Sequence, residues 1–171
     1  MQPYSTHKGF TLIEMLIYIA VLLSVLGVVI TTLLSLRTVF ERNIIERRVA
    51  DAGTSILERI TRETRNALAV NPTSVFETPA GILDLDQSPT TTRFYVTSGD
   101  VMVRTTIGAE SSDIALDPPS IAVDSLWFTR YTTGTSTSTA IRTALTLSVS
   151  SRFASTTRVF YTTTVVRGLY E

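Results

Sequence analysis

One carboxylate in the chain lies at the edge of a long apolar segment, where simple exposure to water does not account for it. Glu14 directly precedes residues 15–36, an uncharged run of 22 residues rich in Leu, Ile and Val. A carboxylate carried to the centre of a bilayer costs about 2.5 to 3.5 kcal/mol, so Glu14 is a candidate functional group. Capping is the alternative, because in residues 11–14 (TLIE) the threonine can cap a helix while the glutamate bonds back to it. Both interpretations remain open from these residues.

Catalytic and metal-binding chemistry has few candidates in this chain. There is no cysteine, and the one histidine, His7, precedes the hydrophobic run. Disulfides, thiolate sites, Ser/His/Asp triads and histidine-rich metal sites are therefore excluded from the folded part. Formal net charge is zero, from 15 basic and 15 acidic residues, so bulk charge predicts no nucleic-acid partner. We predict a protein that is not an enzyme and has no cofactor.

A membrane-tethered enzyme is the alternative from another class, and it would need convergent carboxylates. Most acidic residues of the second half lie near turn signals, where turn formation or hydration is their ordinary role. Asp84 and Asp86 could contribute to a calcium site, but their ligand set is incomplete. The candidate carboxylates are Glu77, Asp84, Asp86, Asp100, Glu110, Asp113, Asp117 and Asp124.

A long helix is predicted to carry Glu14 at its start. At about 1.5 Å per residue the uncharged run spans roughly 30 Å, so residues 10–36 are predicted to cross a membrane. A signal peptide is the competing interpretation, but its apolar region is only about 7 to 15 residues, and no A-x-A site follows here. An amphipathic helix is predicted to continue over residues 37–71, because Asn71-Pro72 disfavours further helix. Gly53 is its weak point and a candidate for a bend.

The amphipathic helix has an apolar stripe and an opposite charged face. The stripe comprises Ile45, Val49, Ala52, Ile56, Ile60 and Ala67. The predicted i,i+4 pairs are Arg37 with Glu41, Arg42 with Glu46, Glu58 with Arg62, and Arg59 with Glu63.

Composition changes after Pro72 to Thr, Ser, Val, Phe and Tyr, which predicts a β-rich head over residues 75–171. Gly99-Asp100 predicts a hairpin turn, Asp117-Pro118-Pro119 a break, and residues 132–139 a flexible loop. Trp127, Phe128 and Tyr131 are assigned to core or hairpin packing. The fold class is predicted to be α+β, with the helix stripe covering an antiparallel sheet. Strands are predicted at residues 93–98, 101–107, 121–131, 140–150 and 158–167.

Lys8-Gly9-Phe10-Thr11-Leu12-Ile13-Glu14, followed at once by the hydrophobic run, resembles the prepilin signature of type IV pilins and type II secretion pseudopilins. The resemblance implies a leader of residues 1–9, cleavage after Gly9 by an aspartic prepilin peptidase, and N-methylation of Phe10. Glycine leaves the backbone unobstructed for a protease, and Lys8 keeps the leader at the cytoplasmic membrane surface. The resemblance also implies that Glu14 meets the N-terminal amine of an adjoining subunit, where the two charges neutralise one another.

A second resemblance covers more of the chain with less specific patterns. Residues 59–67 (RITRETRNA), 141–148 (IRTALTLS) and 159–168 (VFYTTTVVRG) look like the J-type minor pseudopilin and larger minor pilins. This implies a minor, tip-type filament subunit whose partners are the prepilin peptidase, other pilin-like subunits and the cytoplasmic membrane. A membrane-anchored binding module, or an adhesive or DNA-uptake pilin, is the alternative. The basic residues of the head are scattered and define no patch: Arg93, Arg104, Arg130, Arg142, Arg152, Arg158 and Arg167.

The charges flanking the predicted span oppose the topology that the signature implies. Lys8 precedes the span, whereas four arginines follow it within about 15 residues, a pattern that taken alone would place the head in the cytoplasm. The four are Arg37, Arg42, Arg47 and Arg48. We expect a single span with the head outside, because the peptidase requires a cytoplasmic leader and interspersed acids and amides dilute the basic cluster.

Overall fold

The computed structural model describes residues 11–132, 139–151 and 155–166. One helix, α1 (Leu12–Asn66), is followed by eight strands, and it packs against antiparallel sheet, so the predicted α+β class is confirmed. The strands are β1 (Ala69–Val70), β2 (Leu83–Asp86), β3 (Thr90–Thr97), β4 (Asp100–Ile107), β5 (Glu110–Ala115), β6 (Ala122–Thr132), β7 (Thr139–Ser150) and β8 (Ser155–Val165). The chain divides into two compact units, with the boundary after Glu41.

The second unit is built on the apolar stripe of α1. The six residues predicted for this stripe are all buried, and they form one core with Phe94, Phe128 and the leucines of β2 and β7. Polar contacts add to this packing: Gln87 donates to the Glu63 backbone carbonyl at 3.0 Å, and the Thr61 and Thr162 hydroxyls lie 3.3 Å apart. These contacts hold the helix on both sheets.

Gly53 is a site of close packing in the structure. A Cβ built on Gly53 would lie 2.5 Å from Cε2 of Phe160, closer than a carbon side chain can normally approach. The glycine therefore lets the aromatic ring of β8 rest directly on the helix backbone.

The helix ends at Asn66, so the predicted end at Asn71-Pro72 is wrong by five residues. The next residues pair with the sheet instead: the Leu68 N–H donates to the Asp86 carbonyl, and Ala69 and Val70 pair with β2. Sheet hydrogen bonds replace helical ones here, because buried backbone groups need partners in either form. The head accordingly begins before residue 75.

The strands form two antiparallel sheets, with orders β1-β2-β3-β4-β5 and β6-β7-β8. The hairpin β3–β4 is present, but its turn residues are Ser98 and Gly99, with φ of 55° and 87°, and Asp100 already pairs with Thr97. A two-residue turn of this kind requires positive φ at both central positions, which places the glycine second. The predicted turn at Gly99-Asp100 is therefore wrong by one residue.

Residues 77–81 join the two sheets. The N–H of Glu77 donates to the Phe128 carbonyl at 3.0 Å. The Gly81 N–H donates to the Leu126 carbonyl at 2.9 Å, and the Leu126 N–H donates to the Pro79 carbonyl at 2.8 Å. Ala80 also forms a parallel bridge with Leu126. This segment covers the outer edge of β6. The opposite edge of the same sheet is β8, which this segment does not cover.

Alternation along β6 separates its aromatic residues. Phe128 is fully buried, as predicted, whereas Trp127 is 36% exposed and Tyr131 is 50% exposed. Successive side chains of a strand point to opposite faces, so Trp127 and Tyr131 belong to the outer face. Phe128 therefore belongs to the core, whereas Trp127 and Tyr131 do not and lie instead on the outer face of the β6–β7 hairpin.

Candidate functional site

The first turn of α1 contains the one predicted site residue that the structure describes. Lys8, Gly9 and Phe10 lie outside the described residues, so cleavage and methylation stay predictions. Glu14 is the third residue of α1 and is partly buried within the chain.

Thr11 caps the helix, but Glu14 completes only half of the capping box. The Glu14 N–H donates to Thr11 Oγ1 at 3.3 Å, as capping requires. Among the described residues the Glu14 carboxylate bonds not to the Thr11 N–H but to Tyr18, whose hydroxyl donates to Oε1 at 3.1 Å. The cap therefore uses the backbone of Glu14 and leaves its charge available for another partner.

The helix surface that follows Glu14 is apolar and exposed. Leu, Ile and Val side chains over residues 12–40 are about half or more exposed, and none of the most apolar 18-residue window is buried. By length and composition α1 is able to cross a membrane. The single chain thus presents a large apolar surface that needs lipid or another protein to cover it.

The hydroxyl groups within this apolar surface bond to their own helix. Ser24 donates to the Ala20 carbonyl at 2.9 Å, and Ser35 donates to the Thr31 carbonyl at 3.0 Å. The threonines of this stretch make the same bonds to carbonyls three or four residues earlier: Thr31, Thr32 and Thr38. Because hydrocarbon offers no hydrogen-bond partner, such internal bonds suit a helix that lies in a bilayer.

Ion pairs follow the apolar surface. Arg37 Nε lies 3.3 Å from Glu41 Oε1, and Arg42 pairs with Glu46 at 3.2 Å, as predicted. Two of the four arginines that follow the span are thus partly neutralised by acids one turn away.

The two predicted pairs nearer the helix end have different outcomes. Arg59 Nε lies 2.8 Å from Glu63 Oε1, although without the alignment of a hydrogen bond. Glu58 and Arg62 do not pair within 4 Å, so that prediction is wrong. Both side chains line a groove open to solvent, where water competes for each charge.

The candidate carboxylates do not gather in the described part of the chain, where no cluster of three His, Cys, Asp or Glu residues occurs. Asp84 lies in β2 rather than in a turn and is 2% exposed. Its Oδ2 accepts hydrogen bonds from the Arg93 guanidinium at 2.6 Å and from the Thr73 hydroxyl. Asp86 Oδ1 accepts from the Ser88 N–H at 3.0 Å. These contacts give both carboxylates structural roles.

A charged ladder crosses the five-stranded sheet, and the sequence analysis missed it. Strand register places Asp84 opposite Arg93, Arg93 opposite Arg104, and Arg104 opposite Asp113. Both oxygens of Asp113 accept bonds from Arg104 at 2.7 Å, which lowers the pKa of Asp113 and raises that of Arg104. Like charges directly opposite one another are unfavourable, so the flanking acids stabilise the arginine pair. The correct turn position would have predicted that Arg93 lies opposite Arg104, whereas the pairings with β2 and β5 also require the strand order.

Asp117 is a buried carboxylate whose pKa is shifted in the opposite direction to that of Asp113. Burial raises its pKa, although its Oδ1 accepts a 2.7 Å bond from the Val101 N–H, which acts the other way. The nearby Asp100 carboxylate raises the pKa further. The bond to Val101 fixes residue 117 beside the start of β4, which is a structural task.

Comparison with known proteins concerns the N-terminal segment. Residues 4–30 match the family model described as the prokaryotic N-terminal methylation motif, which is 27 of 171 residues. No curated protein and no solved structure matches the chain. The match does not distinguish a J-type pseudopilin from other subunits. It supports a type IV pilin-like family and indicates a pilin-like or pseudopilin-like precursor that is processed at its N-terminus.

Proposed function

We propose that this chain is a structural subunit of a type IV pilus-like or type II secretion pseudopilus filament. One observation carries the proposal: the methylation motif runs without interruption into a helix whose apolar surface is exposed in the single chain. A prepilin peptidase cleaves after Gly9, and Phe10 becomes the methylated N-terminus. The apolar helix lies in the cytoplasmic membrane before assembly and packs against other pilin-like helices afterwards.

Glu14 is proposed to pair with the N-terminal amine of the adjoining subunit. Its carboxylate lies in the first turn of α1, where among the described residues it accepts a hydrogen bond from the Tyr18 hydroxyl, and its backbone supplies the cap. A carboxylate among apolar helices is stabilised by a cation, and one such pair per subunit would fix axial register.

A minor, tip-type role with the head outside the cytoplasm is the finer proposal. The eight-stranded fold that follows α1 supports it, because larger minor pilins build β-rich heads on the same helix. The ion pairs of Arg37 and Arg42 reduce the charge that would hold this side in the cytoplasm.

An adhesive filament subunit is a second candidate, favoured by aromatic exposure. Register places Trp127, Ala144 and Tyr161 in one row on the outer face of β6-β7-β8, and the Arg142 guanidinium lies 5.2 Å from the Tyr161 ring centroid. Aromatic rings held on a rigid sheet are common in binding surfaces. DNA uptake has less support, because Arg93 and Arg104 are neutralised by acids.

Processing is tested by mass spectrometry of the chain from its native cells. Removal of nine residues from 171 leaves 162, beginning with N-methylated Phe10. Gly9→Leu should retain the leader. Gly27→Leu is the matched control, because Gly27 lies in open space within α1, and the leader of this variant should be removed normally. A wild-type chain that kept residues 1–9 would refute the proposed function.

A further inference from the structure

Two long strand edges are open in the described part of the chain. Each sheet has two ends: β1 and β5 for the first, β6 and β8 for the second. β1 is two residues long, and residues 77–81 cover the edge of β6 with backbone hydrogen bonds. β5 and β8 each have a described neighbour on one side only.

The edge of β8 lacks the features that normally prevent strand pairing. Its 11 residues, STTRVFYTTTV, contain no Pro, Gly or Lys and a single charge, Arg158. Proteins usually protect an edge with prolines, bulges, lysines or very short strands. In an antiparallel strand, alternate residues direct their N–H and C=O groups away from the existing partner, so β8 offers a row of unpaired donors and acceptors.

A groove of about 630 Å³ lies beside this edge, between β8 and the last three turns of α1. Its apolar lining includes Leu57 and Phe160. Its charged lining includes Arg62, Arg65 and the single acid Glu58, and neither arginine has an ion-pair partner among the described residues. An incoming strand would therefore place alternate side chains in the groove and would be favoured if acidic.

β5 of the same chain is such a strand. Its six residues, ESSDIA, are exposed throughout, and both of its charges, Glu110 and Asp113, are acidic. Asp113 is engaged by Arg104, whereas Glu110 has no ion-pair partner in the described residues. At about 3.4 Å per residue β5 spans roughly 20 Å, which fits within the longer β8.

We propose that β5 of one copy of this chain pairs with β8 of a second copy, with Glu110 facing Arg62 and Arg65. The two surfaces differ, so the contact is heterologous and leaves a free β8 on one copy and a free β5 on the other. Such pairing continues from copy to copy, which suits a filament. It goes beyond the proposed function by assigning the contact between the β-rich heads of neighbouring copies. It requires at least two adjacent copies, at the tip or elsewhere.

Cysteine crosslinking tests the contact in native cells, since the chain has no cysteine of its own. One copy carries Thr163→Cys in β8 and the other carries Ser111→Cys in β5; both residues are exposed, and both lie on the strand face opposite the groove and Glu110. A short bismaleimide should give a mixed dimer at least about ten-fold above the control pair, as expected where a specific contact raises effective concentration. The control replaces Thr163→Cys with Thr132→Cys, an exposed threonine of the covered edge strand β6.

A charge exchange identifies the partners more closely. Arg62→Glu in the Thr163→Cys copy should reduce the mixed dimer about ten-fold, because it places like charges together. Glu110→Lys in the Ser111→Cys copy should restore it. Arg47→Glu, an exposed arginine of α1 outside the groove, is the matched control and should leave the yield unchanged. Thermal unfolding of each purified full chain in detergent checks that the variants fold.

Three outcomes would overturn the inference: mixed dimer no greater than control, dimer from Thr163→Cys alone, or crosslinking of Thr163→Cys only to a different protein. The last would mean that another subunit occupies β8. Mass spectrometry of the N-terminus in the same cells separates the two proposals. A processed chain without the mixed dimer refutes the strand pairing alone, whereas a retained leader refutes the filament function.

Discussion

At the residue scale, the backbone and the carboxylate of Glu14 make separate contacts, so its capping role and its proposed pairing role can be tested separately. The backbone N–H is bound by Thr11, while Oε1 accepts from the Tyr18 hydroxyl. Glu14→Gln retains the cap and an oxygen for Tyr18 but removes the charge. Cleavage should therefore continue while filament recovered by shearing is lost, because no carboxylate meets the neighbouring amine.

Thr11→Ala is the control for the capping role. It removes the side-chain cap, a loss of about 0.5 to 2 kcal/mol for a helix terminus, and keeps the carboxylate. Filament yield should stay close to that of the wild type. Normal filament yield from Glu14→Gln, or a loss in Thr11→Ala as large as in Glu14→Gln, would instead favour capping.

Asp117 leads to a prediction about pH. Because burial raises its pKa, the stability linked to its neutral form is complete below the unfolded pKa and is lost as pH rises through the folded pKa. Asp117→Asn keeps Oδ1 for the Val101 N–H and removes the buried charge. The variant should unfold at a higher temperature than wild type at neutral pH, and this advantage should shrink on acidification.

Asp113→Asn is expected to do the opposite. The Arg104 guanidinium lowers the pKa of Asp113, so its stabilising contribution is present above the unfolded pKa and is lost as pH falls through the folded pKa. The variant should be less stable than wild type at neutral pH and equal to it in acid. Thermal unfolding of the full chain in detergent across pH measures both, and equal pH profiles for the two variants would contradict the assignment.

At the element scale, the contact of α1 with β8 depends on the absence of one side chain. An alanine Cβ at residue 53 would lie 2.5 Å from the Phe160 ring. Gly53→Ala improves helix propensity by about 1 kcal/mol, but displacing the ring should cost about 1 to 3 kcal/mol. We expect a net loss of thermal stability, measured on the full chain in detergent.

A second substitution distinguishes steric conflict from other effects at this position. Phe160→Leu removes the ring atoms that Gly53→Ala would meet, so the double variant should lose less stability than the sum of the single changes. Gly27→Ala meets no atom within 4 Å and should cause no loss. Additive losses in the double variant would show that the ring contact is not the cause.

The elements that could be predicted from sequence are those whose own apolar residues repeat with helical or strand periodicity. The apolar stripe of α1 and the alternation of β6 and β7 appear in the structure as buried faces, because burial follows helical or strand periodicity. β5 escaped prediction because all six of its residues are exposed and its strand form depends on pairing with β4. The early end of α1 had the same cause, since residues 69 and 70 pair with a strand distant in sequence.

At the scale of the whole molecule, the residues of the candidate site could be predicted from sequence alone, whereas the contacts of the head could not. The N-terminal motif is a continuous string, so its residues could be named without a structure. The charged ladder and the open edges depend on strand order and on a turn that lies one residue earlier than predicted. A turn at residues 99 and 100 would pair Arg93 with Thr106 instead of Arg104, so local pattern could not specify these features.

Membrane orientation is the property for which the two kinds of sequence evidence disagree. Four arginines after the span favour a cytoplasmic head, whereas the processing motif requires a cytoplasmic leader. The structure shows Arg37 paired with Glu41 and Arg42 with Glu46, which weakens the first argument. We therefore expect Thr132→Cys, an exposed position in the head, to react with a membrane-impermeant maleimide on intact spheroplasts.

The control for orientation uses the leader itself. Ser5→Cys, combined with Gly9→Leu so that the leader is retained, should react only after the spheroplasts are lysed. Both cysteines are introduced into a chain that has none, so each signal comes from one side of the membrane. Labelling of Thr132→Cys only after lysis would place the head in the cytoplasm. The arginine cluster would then outweigh the motif, and a filament role would lose its topological basis.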